Sequence, residues 1–336
     1  MIRKLRVILV LGVLVVNVAR AEIYELPPQG YDVIGAVSTI TARHEDTLVD
    51  IARRHGLGYE DIVRANPHVN IWLPGAGTEI ILPTRFVLPA GPRRGVVLNL
   101  AEYRLYYFPE PKPGAVAYVM TYPISIGRMD WETPLGMTKV ISKVRNPSWY
   151  VPQSVLDEHA ADGRPLERIV PPGPDNPLGE YAMRLGLPGY LIHGTNRPAG
   201  VGMRVTHGCV RMFPEDIEYL FGKIDVSTPV RIINDPVKMG WNGDQLIMEV
   251  HPVLEVAVPL ESEDVQEEEQ TIDPAADVVA VKDPLSYVTE QFIVTTGERA
   301  GQLDWHLAEQ IVDRSDGIPT PVGEEIKNAA ASAASY

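Results

Sequence analysis

Cys209 is the single cysteine in 336 residues, so an intramolecular disulfide is excluded and the thiol is free. An exported chain with one unpaired thiol is unusual, because oxidising compartments favour paired cysteines. Three uses remain for it: an inert buried group, a metal ligand or a nucleophile. The rest of the composition is that of a globular protein, with 45% hydrophobic and 22% charged residues. Thirty prolines and 28 glycines point to a loop-rich, strand-rich body, and the length allows two or three domains. A net charge of −14 argues against a nucleic-acid partner.

Export is read from the first 21 residues. Met1 to Arg6 carries three basic residues, Val7 to Val18 is apolar, and Ala19-Arg20-Ala21 offers small residues at the two cleavage positions. Residues 1–21 are therefore expected to be a cleavable signal peptide, with no stable membrane span after processing. The expected location is the periplasm.

The organisation beyond it changes texture three times. Residues 38–83 read as strand, helix, helix, strand: Asp46-Thr47 is placed to cap a helix bearing Leu48, Ile51 and Ala52, Gly56 ends it, and Asn66-Pro67 stops a second helix. Residues 95–233 are strand-dominated. Tyr181 to Leu185 and Tyr190 to His193 read as a hairpin, and Pro214 to Phe221 as an amphipathic helix. Residues 261–281 hold eight carboxylates and no Lys or Arg, which predicts a solvated acidic linker. Residues 282–330 predict a small C-terminal α+β element. The fold class expected for the whole is mainly β, a β-sandwich or open barrel with a small α/β module before it.

The chemistry concentrates in two runs. One is His193-Gly194-Thr195-Asn196, at the end of a predicted strand. The other is Thr206-His207-Gly208-Cys209-Val210-Arg211, with Cys209 sixteen residues after His193. A free thiol is mostly protonated at neutral pH, and a neighbouring imidazole activates it by taking the proton. His193 is the favoured base. His207, two residues from the sulfur, is read as a supporting or substrate-orienting group. Backbone N–H groups around His207 to Cys209 can serve as an oxyanion hole. A zinc site built on Cys209, His193, His207 and Asp216 is the rival; it lacks the paired short spacings such sites use.

These runs resemble the L,D-transpeptidase (YkuD) family, whose signature is His, a gap, then Ser/Thr-His-Gly-Cys, an apolar residue and Arg or Asn. Thr133-Pro134-Leu135-Gly136 is similar to a further segment of that family, and Pro171 to Gly179 to its Gram-negative members. The 38–83 segment resembles a LysM module through Asp46-Thr47-Leu48, Ile51-Ala52, Ala65-Asn66-Pro67, Gly77 and Ile80 to Pro83. The family resemblance implies Cys209 as nucleophile, His193 as base and His207 beside them. It implies Thr206, Gly208, Arg211, Gly194, Thr195 and Asn196 around the substrate, with no cofactor or metal. Arg211 is left between orienting the acyl donor and forming a structural salt bridge.

The activity so implied is acyl transfer through a thioester. The donor is a peptidoglycan tetrapeptide stem that releases D-Ala, and the expected acceptor is the C-terminal lysine of a Braun-type outer-membrane lipoprotein. The LysM resemblance implies contact with glycan strands. Three other readings keep parts of the picture: 3→3 cross-linking, an L,D-carboxypeptidase or lipoprotein-detaching amidase on the same fold, and a non-catalytic LysM wall-binding protein.

Overall fold

A computed structural model describes residues 22–128, 133–254 and 282–327. The expected signal peptide and acidic linker lie outside the described residues.

The N-terminal module pairs the strands Val33–Thr41 and Glu79–Val87 antiparallel along their full length. Its two helices are α1 (Leu48–Arg54) and α2 (Tyr59–Ala65). The Thr47 hydroxyl accepts from Asp50 N at 3.0 Å and caps α1, as the Asp46-Thr47 pair predicts. Asn66 ties the end of α2 to the second strand: its amide donates to Ile62 O and Ile81 O, and its carbonyl accepts from Ile81 N. The paired strands run past both limits of the 38–83 segment. The extension has a physical use, because a core under fifty residues is marginal alone. Leu48, Ile51, Ile62, Ile80 and Phe86 pack in one cluster with Val97, Tyr106, Phe108 and Val119 from the next sheet.

That sheet has nine strands. Their spatial order is Glu22–Glu25, Tyr118–Pro123, Arg104–Phe108, Gly95–Asn99, Pro229–Ile233, Gly136–Arg145, Tyr181–Leu185, Leu191–His193 and Val210–Arg211. Two neighbouring pairs are parallel, Gly95–Asn99 with Pro229–Ile233 and Leu191–His193 with Val210–Arg211. Just past Tyr118–Pro123, Ser125 N donates to Arg211 O at 2.8 Å and Arg211 N to Ser125 O at 3.0 Å. Arg211 lies on the strand at the opposite end of the order. The sheet therefore curls until its ends meet, which gives the mainly-β, barrel-like body expected. Its interior holds Leu98, Leu105, Tyr122, Met183, Ile192, Val210 and Ile217. Two helices border it: α3 (Gln153–Ala161), which the sequence reading does not contain, and α4 (Pro214–Phe221), which it does.

A third unit has a four-stranded sheet in the order Val237–Asn242, Gln245–Val250, Thr320–Glu325, Gly301–Leu303. Helices α5 (Pro284–Thr296) and α6 (Trp305–Arg314) cover it. The C-terminal unit thus begins at Val237 rather than 282. The hairpin Val237–Val250 has its apolar face filled by residues from beyond the linker, among them Val288, Leu303 and Ile311.

The three units meet at a buried charge network. The Lys238 ammonium lies 2.8 Å from Glu102 Oε1 and 2.9 Å from Glu249 Oε1, and donates to Val87 O at 2.8 Å. Val87 N donates to Glu249 Oε2 at 2.6 Å, and the His251 imidazole lies 2.8 Å from Glu249 Oε1. Tyr106 donates to Glu102. Among the described residues, Glu102, Glu249 and His251 form the one cluster with metal-ligand spacing, and Lys238 already supplies its cation. Removing one partner from a buried ion network leaves the others charged and unpaired. Lys238→Met should cost about 3–5 kcal/mol in urea unfolding. A loss below about 1 kcal/mol would show that the network is not what joins the units.

Candidate active site

The parallel ladder at the end of the curled sheet aligns Ile192 with Val210 and His193 with Arg211. Met212 N donates to His193 O at 2.9 Å and continues it. Side chains alternate faces along a strand. His193 and Arg211, paired in register, project to one face of the ladder, and Cys209 stands immediately before its second strand. Both sequence runs are thereby brought together at the point where the sheet closes.

His193 is buried, and its Nδ1 lies 2.6 Å from Gly194 O. A carbonyl only accepts, so Nδ1 carries the proton and Nε2 the lone pair. Burial pushes the imidazole pKa down to about 3; the Arg211 guanidinium pushes the same way, while the Gly194 and Leu178 carbonyls oppose both. Asn176 builds the loop that delivers Leu178: its amide donates to Pro147 O, Val170 O and Pro171 O, and Leu178 N donates back to its Oδ1 at 2.9 Å. Gly179, at φ +67°, presses on Gly194 and Thr195 so closely that a Cβ would stand 2.8 Å from Thr195 N.

Cys209 is half-buried, and its thiol donates to Gly189 O at 3.6 Å. Burial raises its pKa, against the Leu191 amide and the Arg211 charge, which lower it. Both groups are neutral at neutral pH, and the thiol's hydrogen bond goes to Gly189 rather than to the imidazole.

The loop before Cys209 is fastened on several sides. Thr206 donates from Oγ1 to Cys209 O at 2.6 Å, and Thr133 from Oγ1 to Gly208 O at 2.8 Å. Gly208 has φ +91°, a left-handed conformation that suits glycine. Among the described residues, the backbone amides of Gly208 and Cys209 donate to no other group. They are the N–H pair available to a developing oxyanion.

Arg211 makes no ion pair with any described residue, and its buried Nε has no partner. Burial and the nearby Arg197 charge lower its pKa. Thr195 is buried and accepts from Arg197 N at 2.9 Å, while Asn196 is exposed. The His207 Nε2 lies 2.8 Å from Glu158 Oε2, and Arg128 lies 2.7 Å from the other oxygen of that carboxylate. The hydrogen bonds from Arg128 and His207 lower the Glu158 pKa. Glu158 on α3 was missed from sequence, since nothing local marks it. Asp216, a candidate zinc ligand, is buried on α4 with its pKa pushed up to about 8 by burial. It belongs to no cluster of metal-ligand spacing among the described residues.

A thiol held neutral reacts with alkylators in proportion to its thiolate. Its ordinary pKa is about 8.5 and burial raises it here. The iodoacetamide rate at Cys209 should climb steadily from pH 6 through pH 9. A rate plateau between pH 5 and 7 would instead reveal a preformed thiolate–imidazolium pair.

Comparison with known proteins agrees with this geometry. Residues 93–232 match the YkuD family model, described as an L,D-transpeptidase catalytic domain. The probable L,D-transpeptidase YcfS of Escherichia coli is 34% identical over 311 residues, 90% of this chain and 89% of its own length. YbiS of the same organism is 39% identical over 77% of this chain and 82% of its own, and ErfK/SrfK of Salmonella typhimurium is 40% identical over 72% and 78%; both are probable L,D-transpeptidases. With a relative of this identity matched nearly end to end, the chain belongs to the L,D-transpeptidase family.

Proposed function

We propose that the protein is a peptidoglycan L,D-transpeptidase that works through a thioester on Cys209. The observation that carries this reading is the free, half-buried thiol immediately before the ladder strand that pairs with a buried, neutral imidazole. Beside it stand two unengaged amides and an unpaired guanidinium.

His193 Nε2 takes the thiol proton as Sγ attacks the carbonyl of the third stem residue. A C–S bond forms, and the amides of Gly208 and Cys209 hold the negative oxygen. The C–N bond to D-Ala then breaks, and the imidazolium gives its proton to the leaving amine. An acceptor amine attacks the thioester next. Its proton passes to His193, the C–S bond breaks, and the thiol is restored. Arg211 and Arg197 offer positive charge to the carboxylates of the stem, with Thr195, Asn196 and Thr206 around them.

The acceptor we propose is the C-terminal lysine of a Braun-type lipoprotein, in the periplasm, after removal of residues 1–21. No helix among the described residues is long and apolar enough to cross a membrane. The N-terminal module is proposed as a LysM glycan-binding unit spanning 38–83. Its loop after α2 presents Trp72 and Leu73, 60% and 77% exposed, on a turn held by the Asn70 side chain. An exposed aromatic beside an apolar neighbour suits stacking on a sugar ring.

Incubation with a tetrapeptide muropeptide, with and without a lysine-ended lipoprotein peptide, tests the reading by mass spectrometry. The expected result is an adduct on Cys209 with loss of D-Ala, then a lysine-linked product. Cys209→Ala should abolish both. A 3→3 dimer formed in preference to the lysine product would replace the acceptor, and a tripeptide alone would make water the acceptor. Turnover by Cys209→Ala would refute the thioester.

A further inference from the structure

We infer that the N-terminal module is a positioning element for the nucleophile loop, gripping the chain on both sides of Cys209. The inference rests on the reading of Cys209 as nucleophile.

The upstream grip is backbone on backbone. Tyr59 N donates to Val201 O at 2.9 Å and Glu60 N to Gly202 O at 3.3 Å. Gly202, at φ +87°, lies so close that a Cβ there would stand 2.4 Å from Tyr59 N and 2.5 Å from Gly58 Cα. A Cβ on Gly58 would in turn meet Gly202 Cα at 2.7 Å. No side chain fits between α2 and this turn without moving one of them. The strand Arg204–Thr206 begins two residues after Gly202 and leads straight into His207-Gly208-Cys209.

The downstream grip is ionic. Arg53 on α1 donates from Nε to Glu215 Oε1 at 2.7 Å and from a terminal nitrogen to Oε2 at 2.8 Å. Its guanidinium also stands over the Phe213 ring, 5.4 Å from the centroid. Phe213 and Glu215 open α4, four and six residues beyond the thiol. The two-point Arg–carboxylate geometry fixes direction as well as distance. Module and catalytic sheet share one apolar core as well, so the grip is applied from a rigid base.

A glycan tether would change where the enzyme sits and leave its chemistry alone. A brace on the loop acts on the chemical step, even for a substrate without sugar. The test uses the full chain and a free tetrapeptide stem lacking glycan, with kcat, KM and thermal midpoint measured together. Arg53→Glu should lower kcat about tenfold, with KM within about twofold and the midpoint little changed. The reversed pair Arg53→Glu/Glu215→Arg should recover most of the loss. Arg53→Gln, which removes the charge without repulsion, should fall between wild type and Arg53→Glu. Wild-type kcat in both single variants would overturn the inference, as would failure of the reversed pair to recover it. A wild-type enzyme that does not turn over the stem sinks the transpeptidase reading instead. Wild-type turnover with indifferent Arg53 variants sinks this inference alone.

Discussion

The short parallel ladder between Leu191–His193 and Val210–Arg211 is the interaction on which the site depends. It joins the end of a hairpin to the residues that follow Cys209. On its other side, Ser125 clamps Arg211 through a reciprocal pair of backbone hydrogen bonds. The strand that follows Cys209 is thus held from two directions by segments remote in sequence. Register matters because a one-residue slip would send Arg211 to the face opposite His193. The curl of the nine-stranded sheet makes the clamp possible, so the barrel-like closure and the reactive geometry are one feature.

The electrostatics follow from that placement. Both His193 and Cys209 sit where burial disfavours charge, and the unpaired Arg211 adds a positive field that further disfavours an imidazolium. The resting pair is neutral and poised to ionise only when a carbonyl arrives. A thiol kept protonated is also a poorer target for oxidation, which tracks thiolate character.

Much of this was legible in the chain itself. The apolar spacing after Pro214 announced α4, the glycines between Leu185 and Tyr190 announced the hairpin, and the two histidine runs marked segments that the fold pairs. What could not be read depends on partners far away. Helix α3 buries little beyond Val155 and owes its role to Glu158, whose ion pairs reach Arg128 and His207. The Val237–Val250 hairpin finds its place only against the strand Thr320–Glu325, whose polar, proline-containing sequence does not read as a strand. The strand Glu22–Glu25 is an edge of four residues with no periodicity long enough to weigh. The neutral state of His193 is set by burial and by Arg211, against the pull of the Gly194 and Leu178 carbonyls, and no local motif announces that balance.

The account stands most directly on the protonation of one imidazole. Nitrogen-15 NMR of histidine-labelled protein at pH 7, with His193 assigned by its Gln variant, reads that state at both ring nitrogens. The account predicts a neutral ring with the proton on Nδ1 and a bare Nε2, unchanged down to pH 5. An imidazolium signature on both nitrogens across pH 5 to 8 would contradict it and restore a preformed ion pair.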